Sequence, residues 1–167
     1  MKLFNKKYTL GDLMMIDSGR QERASSCQVI LERTYHELKK ATILDKFKSF
    51  FSSSSGLINS YYVIFKFKVI SASGKTHKVI IKTCPDFDLI NWENNRAWIY
   101  CDCPDFKYRC AYILNQHDSL FLTDKIKIAL GQSITDKPKR RVTLLCKHSF
   151  AAVQYLISNY SSIMRTI

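Results

Sequence analysis

Two thiols one residue apart, Cys101 and Cys103, are followed after the 42 residues 104–145 by a thiol and an imidazole at the same spacing, Cys146 and His148. Thiolate sulfur and imidazole nitrogen are the donors of tetrahedral zinc, and soft sulfur selects Zn²⁺ over hard cations. Four protein ligands close the shell, so the expected Cys₃His site holds one Zn²⁺ per chain and leaves no position for water. A nucleophile would need a base beside it, and the strongest Cys/His pairing is consumed by the ion. The His-x-Glu of zinc deaminases is missing. Gly74-Lys75-Thr76 ends like a phosphate-binding loop, but Val69 stands where its first glycine belongs. These residues point to a non-enzymatic protein with no small-molecule substrate.

The other cysteines have quieter explanations. Cys27 falls on an apolar stripe and Cys84 at a strand end, where free thiols pack as small hydrophobes. Cys110 is close enough to replace a ligand, or packs inward from a return strand. His36 and His77 fall on exposed-looking faces, and His117 lies within residues 104–145. Asp105 and Arg109 are candidates for a supporting shell, with Arg109 pairing Asp105 or Asp102 while Phe106 covers the metal.

The elements that must carry these residues are read from periodicity. From Gln21 to Phe51, Cys27, Ile30, Leu31, Tyr35, Leu38 and Leu44 recur at three or four residues, which predicts an amphipathic helix. Ser52 to Gly56 ends it in a loop. Residues 60–70 are rich in aromatic and β-branched side chains and alternate at period two, and 77–82 return after a turn, so a hairpin is expected. Arg96 to Cys101 reads as a third strand and Lys107 to Tyr112 as its partner, with Cys101 and Cys103 at the tip of this second hairpin. Helical spacing resumes at Leu144, placing Cys146 and His148 at the start of a last helix. The expected fold is α+β: an N-terminal helix, a mainly antiparallel sheet of two hairpins, and a C-terminal helix carrying half of the zinc site. The organisation expected is a helical segment with its Ser-rich loop over 1–56 and the hairpins with the zinc module over 57–167, in one compact unit.

The 167 residues are 46% hydrophobic and 24% charged, which excludes a disordered chain. Lys and Arg number 26 against 14 Asp and Glu, a formal net charge of +12 that suits an anionic partner. Candidate phosphate contacts are Lys66 and Lys68 on one strand, Lys78 and Lys82 on the next, and Lys137, Lys139, Arg140 and Arg141 in a charged loop. Residues 1–7 lack the apolar stretch of a signal peptide, and no apolar run is long enough to span a bilayer. A soluble protein made in a reducing compartment is expected, with its thiols free and no membrane partner.

Cys-x-Cys, a long insertion and Cys-x-His at a helix start resemble the SWIM-type zinc finger, a ββα module of transposases, recombination factors and other nucleic-acid-associated proteins. The resemblance covers about residues 96–158, with Cys101, Cys103, Cys146 and His148 at the ligand positions and Phe150-Ala151-Ala152-Val153 matching the following helix. The insertion is longer than a compact version needs and is expected to form a substructure of its own. More narrowly, Cys101-Asp102-Cys103-Pro104-Asp105-Phe106-Lys107-Tyr108-Arg109 with Leu145-Cys146-Lys147-His148 is similar to small SWIM-like virion and assembly proteins of large tailed bacteriophages. That resemblance implies a zinc-stabilised structural component of a head, neck or tail connector. It would meet other protein subunits, made in the host cytoplasm and then incorporated in a virion. The broader one implies a DNA- or RNA-binding module, with double-stranded DNA as a partner.

Overall fold

The computed structural model describes residues 8–16, 21–38, 61–84, 95–138 and 143–166. The fold is α+β, a four-stranded antiparallel sheet with helices at both ends of the chain. The predicted hairpin is present: β2 (Tyr61–Ile70) pairs with β3 (Thr76–Cys84). Its turn closes with Ser71 N–H donating to Lys75 O at 2.9 Å, and Gly74 takes a φ of +77° that few other residues accept. Alternation in β2 buries Val63, Phe65, Phe67 and Val69 on one face, while Lys66 and Lys68 lie on the other.

Two expectations are corrected. The first is the long helix from Gln21. Among the described residues, α1 (Leu10–Ile16) and α2 (Gln21–Ala24) are helical and Gln28–Leu38 is a strand, β1, paired with β2, while the part of the expected helix at 39–51 lies outside the described residues. A bulge between Leu31 and Arg33 breaks the two-residue period, so Val29, Leu31, Thr34 and His36 meet Val69, Phe67, Phe65 and Val63. The two-three-two spacing resembles a helical stripe when read without its partner. Start and cap of α1 come from a reciprocal pair: Asp12 N–H donates to Thr9 Oγ1 at 3.1 Å, and Thr9 N–H donates to Asp12 Oδ2 at 3.2 Å. The expected Ser-rich loop at 52–56 lies outside the described residues.

The second correction concerns the second hairpin. β4 (Arg96–Cys101) pairs with β3, giving the order β1-β2-β3-β4. Its expected partner, 107–112, is instead helical: a π-helical turn, Phe106–Cys110, leads into α3 (Ala111–Gln116). Pro104 follows Cys103 at the point where the chain turns helical, a position that needs no N–H. Phe106, Cys110, Ala111 and Leu114 then recur at helical spacing and are buried. The free edge of β4 is covered by single bridges from Thr9 to Arg96 and from Leu120 to Ile99. Beyond them come α4 (Asp124–Leu130), capped by Thr123, and a 3₁₀ turn (Gly131–Ile134). The long insertion is thus a helical substructure through its described part.

The last helix, α5 (Lys147–Arg165), lies on the buried face of the sheet. Tyr160 packs on Phe65 with ring centroids 6.2 Å apart, and Tyr155 on Phe67 at 6.0 Å. Phe150, Val153 and Leu156 complete its inner stripe. None of the described helices is long and apolar enough to cross a membrane.

Candidate metal centre

Cys101 closes β4 on the buried face, opposite Val79 of β3. Asp102 then fixes the corner. Its N–H donates to Lys78 O at 3.2 Å, and its Oδ1 accepts from Lys78 N–H at 3.0 Å. Cys103 therefore stands at a strand-to-helix corner rather than at a hairpin tip, and its Sγ accepts from Phe106 N–H at 3.3 Å.

The second candidate pair, Cys146 and His148, is set by the start of α5. Cys146 is the N-cap, extended at φ −78° and ψ 169°, and its Sγ accepts from Ser149 N–H at 3.3 Å. A sulfur thus does what a serine or aspartate oxygen does at other helix starts. The positive end of the helix dipole favours the thiolate there. His148 follows in the first turn and is buried, at 5% exposure.

The ligand atoms of Cys101, Cys103, Cys146 and His148 all lie within 4.8 Å of one another. All four residues are buried, and the cluster can hold a metal ion. Burial pushes the Cys101 thiol well above its usual range, helped by its hydrogen bonds to Cys103 and Cys146. Cys103 accepts from Cys101, which lowers it, but its bond to Cys146 and its burial outweigh this and push it up to about 12. Burial also pushes Cys146 upward, yet hydrogen bonds from Cys101 and Cys103 hold it well below the ordinary thiol range. Both ring nitrogens of His148 are buried without a hydrogen bond of good geometry, the imidazole interacting with the Cys146 sulfur, which it helps to hold low. An imidazole so placed costs free energy unless something binds it, and a cation among the three sulfurs would do so.

The surroundings of the cluster hold a residue that the sequence reading set aside. His77, expected on an exposed face, is on the inner face of β3 two positions before Val79, and its ring lies 4.1 Å from that of His148. Its Nδ1 is 3.3 Å from Asp102 Oδ1. The period-two alternation through Val79 and Ile81 carried the signal, since it puts His77 on their side of the strand. Cys110 is buried on the π-helical turn, with Sγ 3.5 Å from Thr143 Oγ1, and is not one of the four clustered residues. Phe106 is fully buried and packs edge-on against Tyr100.

Arg109 pairs with Asp105 one helical turn away. The two border a cleft of about 830 Å³ shared with Tyr108, Gln132 and Lys137. Lys137 lines this cleft, and Lys139, Arg140 and Arg141 lie outside the described residues. Lys66, Lys68, Lys78 and Lys82 are together on the face of the sheet opposite α5. The chain matches no known protein family, no curated protein and no solved structure, so a functional reading rests on these residues themselves.

Proposed function

We propose that this chain is a non-enzymatic structural or assembly protein stabilised by one Zn²⁺ ion held by Cys101, Cys103, Cys146 and His148. The observation that carries the reading is the clustering of three buried thiols with the buried imidazole of His148, whose ring nitrogens make no hydrogen bond of good geometry. Three sulfurs and one nitrogen suit Zn²⁺, and a full tetrahedral shell suits a structural ion rather than a catalytic one. The ion would tie the end of β4 to the start of α5, with the Asp105–Arg109 pair supporting the helical turn after Cys103. The resemblance of 101–109 and 145–148 to tailed-phage assembly proteins extends the proposal to a virion component. Such a component is made in the host cytoplasm and built in among other subunits.

A second reading is a SWIM-type module that binds DNA or RNA. The observation favouring it is the placement of Lys66, Lys68, Lys78 and Lys82 on a single face of the sheet.

Elemental analysis of protein purified without chelator tests the zinc. About one zinc per chain is expected, and Cys146→Ser should lose it. Serine caps a helix well, so that variant removes a ligand while keeping the start of α5. A metal-free wild type would end the zinc reading.

A further inference from the structure

The sheet face turned away from α5 carries a block of positive charge that the described residues leave uncompensated. The register sets Lys68 directly opposite Lys78, and in the neighbouring row Arg33 directly opposite Lys66. Like charges facing one another across a ladder work against the sheet. The other cations of this face are neutralised: Lys82 Nζ is 2.9 Å from Glu37 Oε2 and lies over the Tyr62 ring, and Arg96 pairs with Asp118. Arg33, Lys66, Lys68 and Lys78 have no such partner among the described residues; Lys66 only overlies the Tyr35 ring, at 4.9 Å.

We infer that Arg33, Lys66, Lys68 and Lys78 form a docking surface for the phosphate backbone of a nucleic acid, read without regard to sequence. The inference rests on the second functional reading above and supplies its surface and mode of contact. Charge complementarity is the first argument: two repelling pairs side by side are relieved by an anion lying across both rows. Spacing is the second. Lys66 and Lys68 are two residues apart on one strand, about 6.8 Å, which is comparable to the distance between successive phosphates along a nucleic-acid strand. Arg33 was not among the sequence candidates, because it lies in a region that reads as helix until β1 is paired with β2.

The test uses the full-length, metal-loaded protein and a fluorescently labelled mixed-sequence DNA duplex, followed by anisotropy across a salt series. Four phosphate contacts predict that log K falls with log salt at a slope of about −3 to −4. Lys68→Glu should weaken binding about tenfold or more and flatten that slope by about one to two. Its thermal midpoint should hold or rise, because Lys78 gains a carboxylate neighbour, so lost binding is not lost folding. Lys125→Glu, the same charge change at an exposed site on α4, should leave binding nearly unchanged. Equal loss in both variants would reduce the effect to net charge and overturn the surface. Undiminished duplex binding by Lys68→Glu would also overturn it, while leaving the nucleic-acid reading with contacts elsewhere. No duplex binding by the wild type at low salt would overturn both. Displacement of the duplex by polyglutamate at matched charge would overturn the nucleic-acid partner in favour of an acidic protein.

Discussion

The three sulfurs of the proposed metal site are not shifted in the same direction. Cys101 and Cys103 are pushed well above the usual thiol range, Cys103 to about 12, so both carry protons at neutral pH in metal-free protein. Hydrogen bonds from its neighbours hold Cys146 below that range at the helix start. Zinc binds thiolates, so uptake must expel the protons of Cys101 and Cys103. Calorimetric titration of zinc into metal-free protein, in two buffers of different ionisation enthalpy, should report net proton release on zinc uptake at neutral pH. The sign fixes the pH dependence. Acid returns protons to the ligands and competes with the ion, so metal-conferred stability is present at neutral pH and lost as pH falls. Release of nearly no protons would mean that the thiols are not ligands.

At the scale of elements, the bulge in β1 makes its own prediction. Glu32 is the extra residue, with Leu31 opposite Phe67 and Arg33 opposite Lys66. Deleting Glu32 restores an unbroken two-residue period with every inward side chain still inward, and should move the thermal midpoint by no more than about 4 °C. Deleting Leu31 instead puts Glu32 opposite Phe67, setting a carboxylate in the half-buried place of Leu31 against the apolar face, and should lower the thermal midpoint by clearly more than the Glu32 deletion does. Equal effects of the two deletions in a thermal melt would contradict the register. The same bulge explains what the sequence concealed. β2, β3 and α5 were legible because their periods are unbroken, and the Cys-x-Cys and Cys-x-His pairs that the fold clusters were legible because their spacing needs no partner element. β1 was not, since its spacing makes sense only against Phe65 and Phe67. Nor was the helical turn after Pro104, where a short run between cysteines reads equally as strand. The Thr9–Asp12 cap was present in the sequence as a local signal, but it opens a helix of only seven residues.

Across the whole molecule, the proposed ion would join two points that the chain separates by residues 104–145, and so would close a long loop around the helical substructure. Closing such a loop costs entropy that grows slowly with length, and structural zinc contributes about 10–16 kcal/mol against a typical net domain stability of about 5–15. That contribution acts mainly on what the loop encloses. The sheet has a separate hold on α5 through Tyr155 on Phe67 and Tyr160 on Phe65, well beyond the ligand-bearing first turn. Chelation should therefore open the molecule in part. Hydrogen exchange after metal removal should show protection lost over 104–134 and in the first turn of α5, while β2 and β3 keep theirs. Loss of protection in all four strands at once would make the ion a condition of the entire fold, and an unchanged pattern would mean that it contributes nothing to stability. The partial outcome has a consequence for assembly: residues 104–138, with the Asp105–Arg109 cleft, would be the part whose shape depends on metal, and the basic sheet face would not. Duplex binding that survives chelation while subunit association is lost would then separate the two functional readings within one protein.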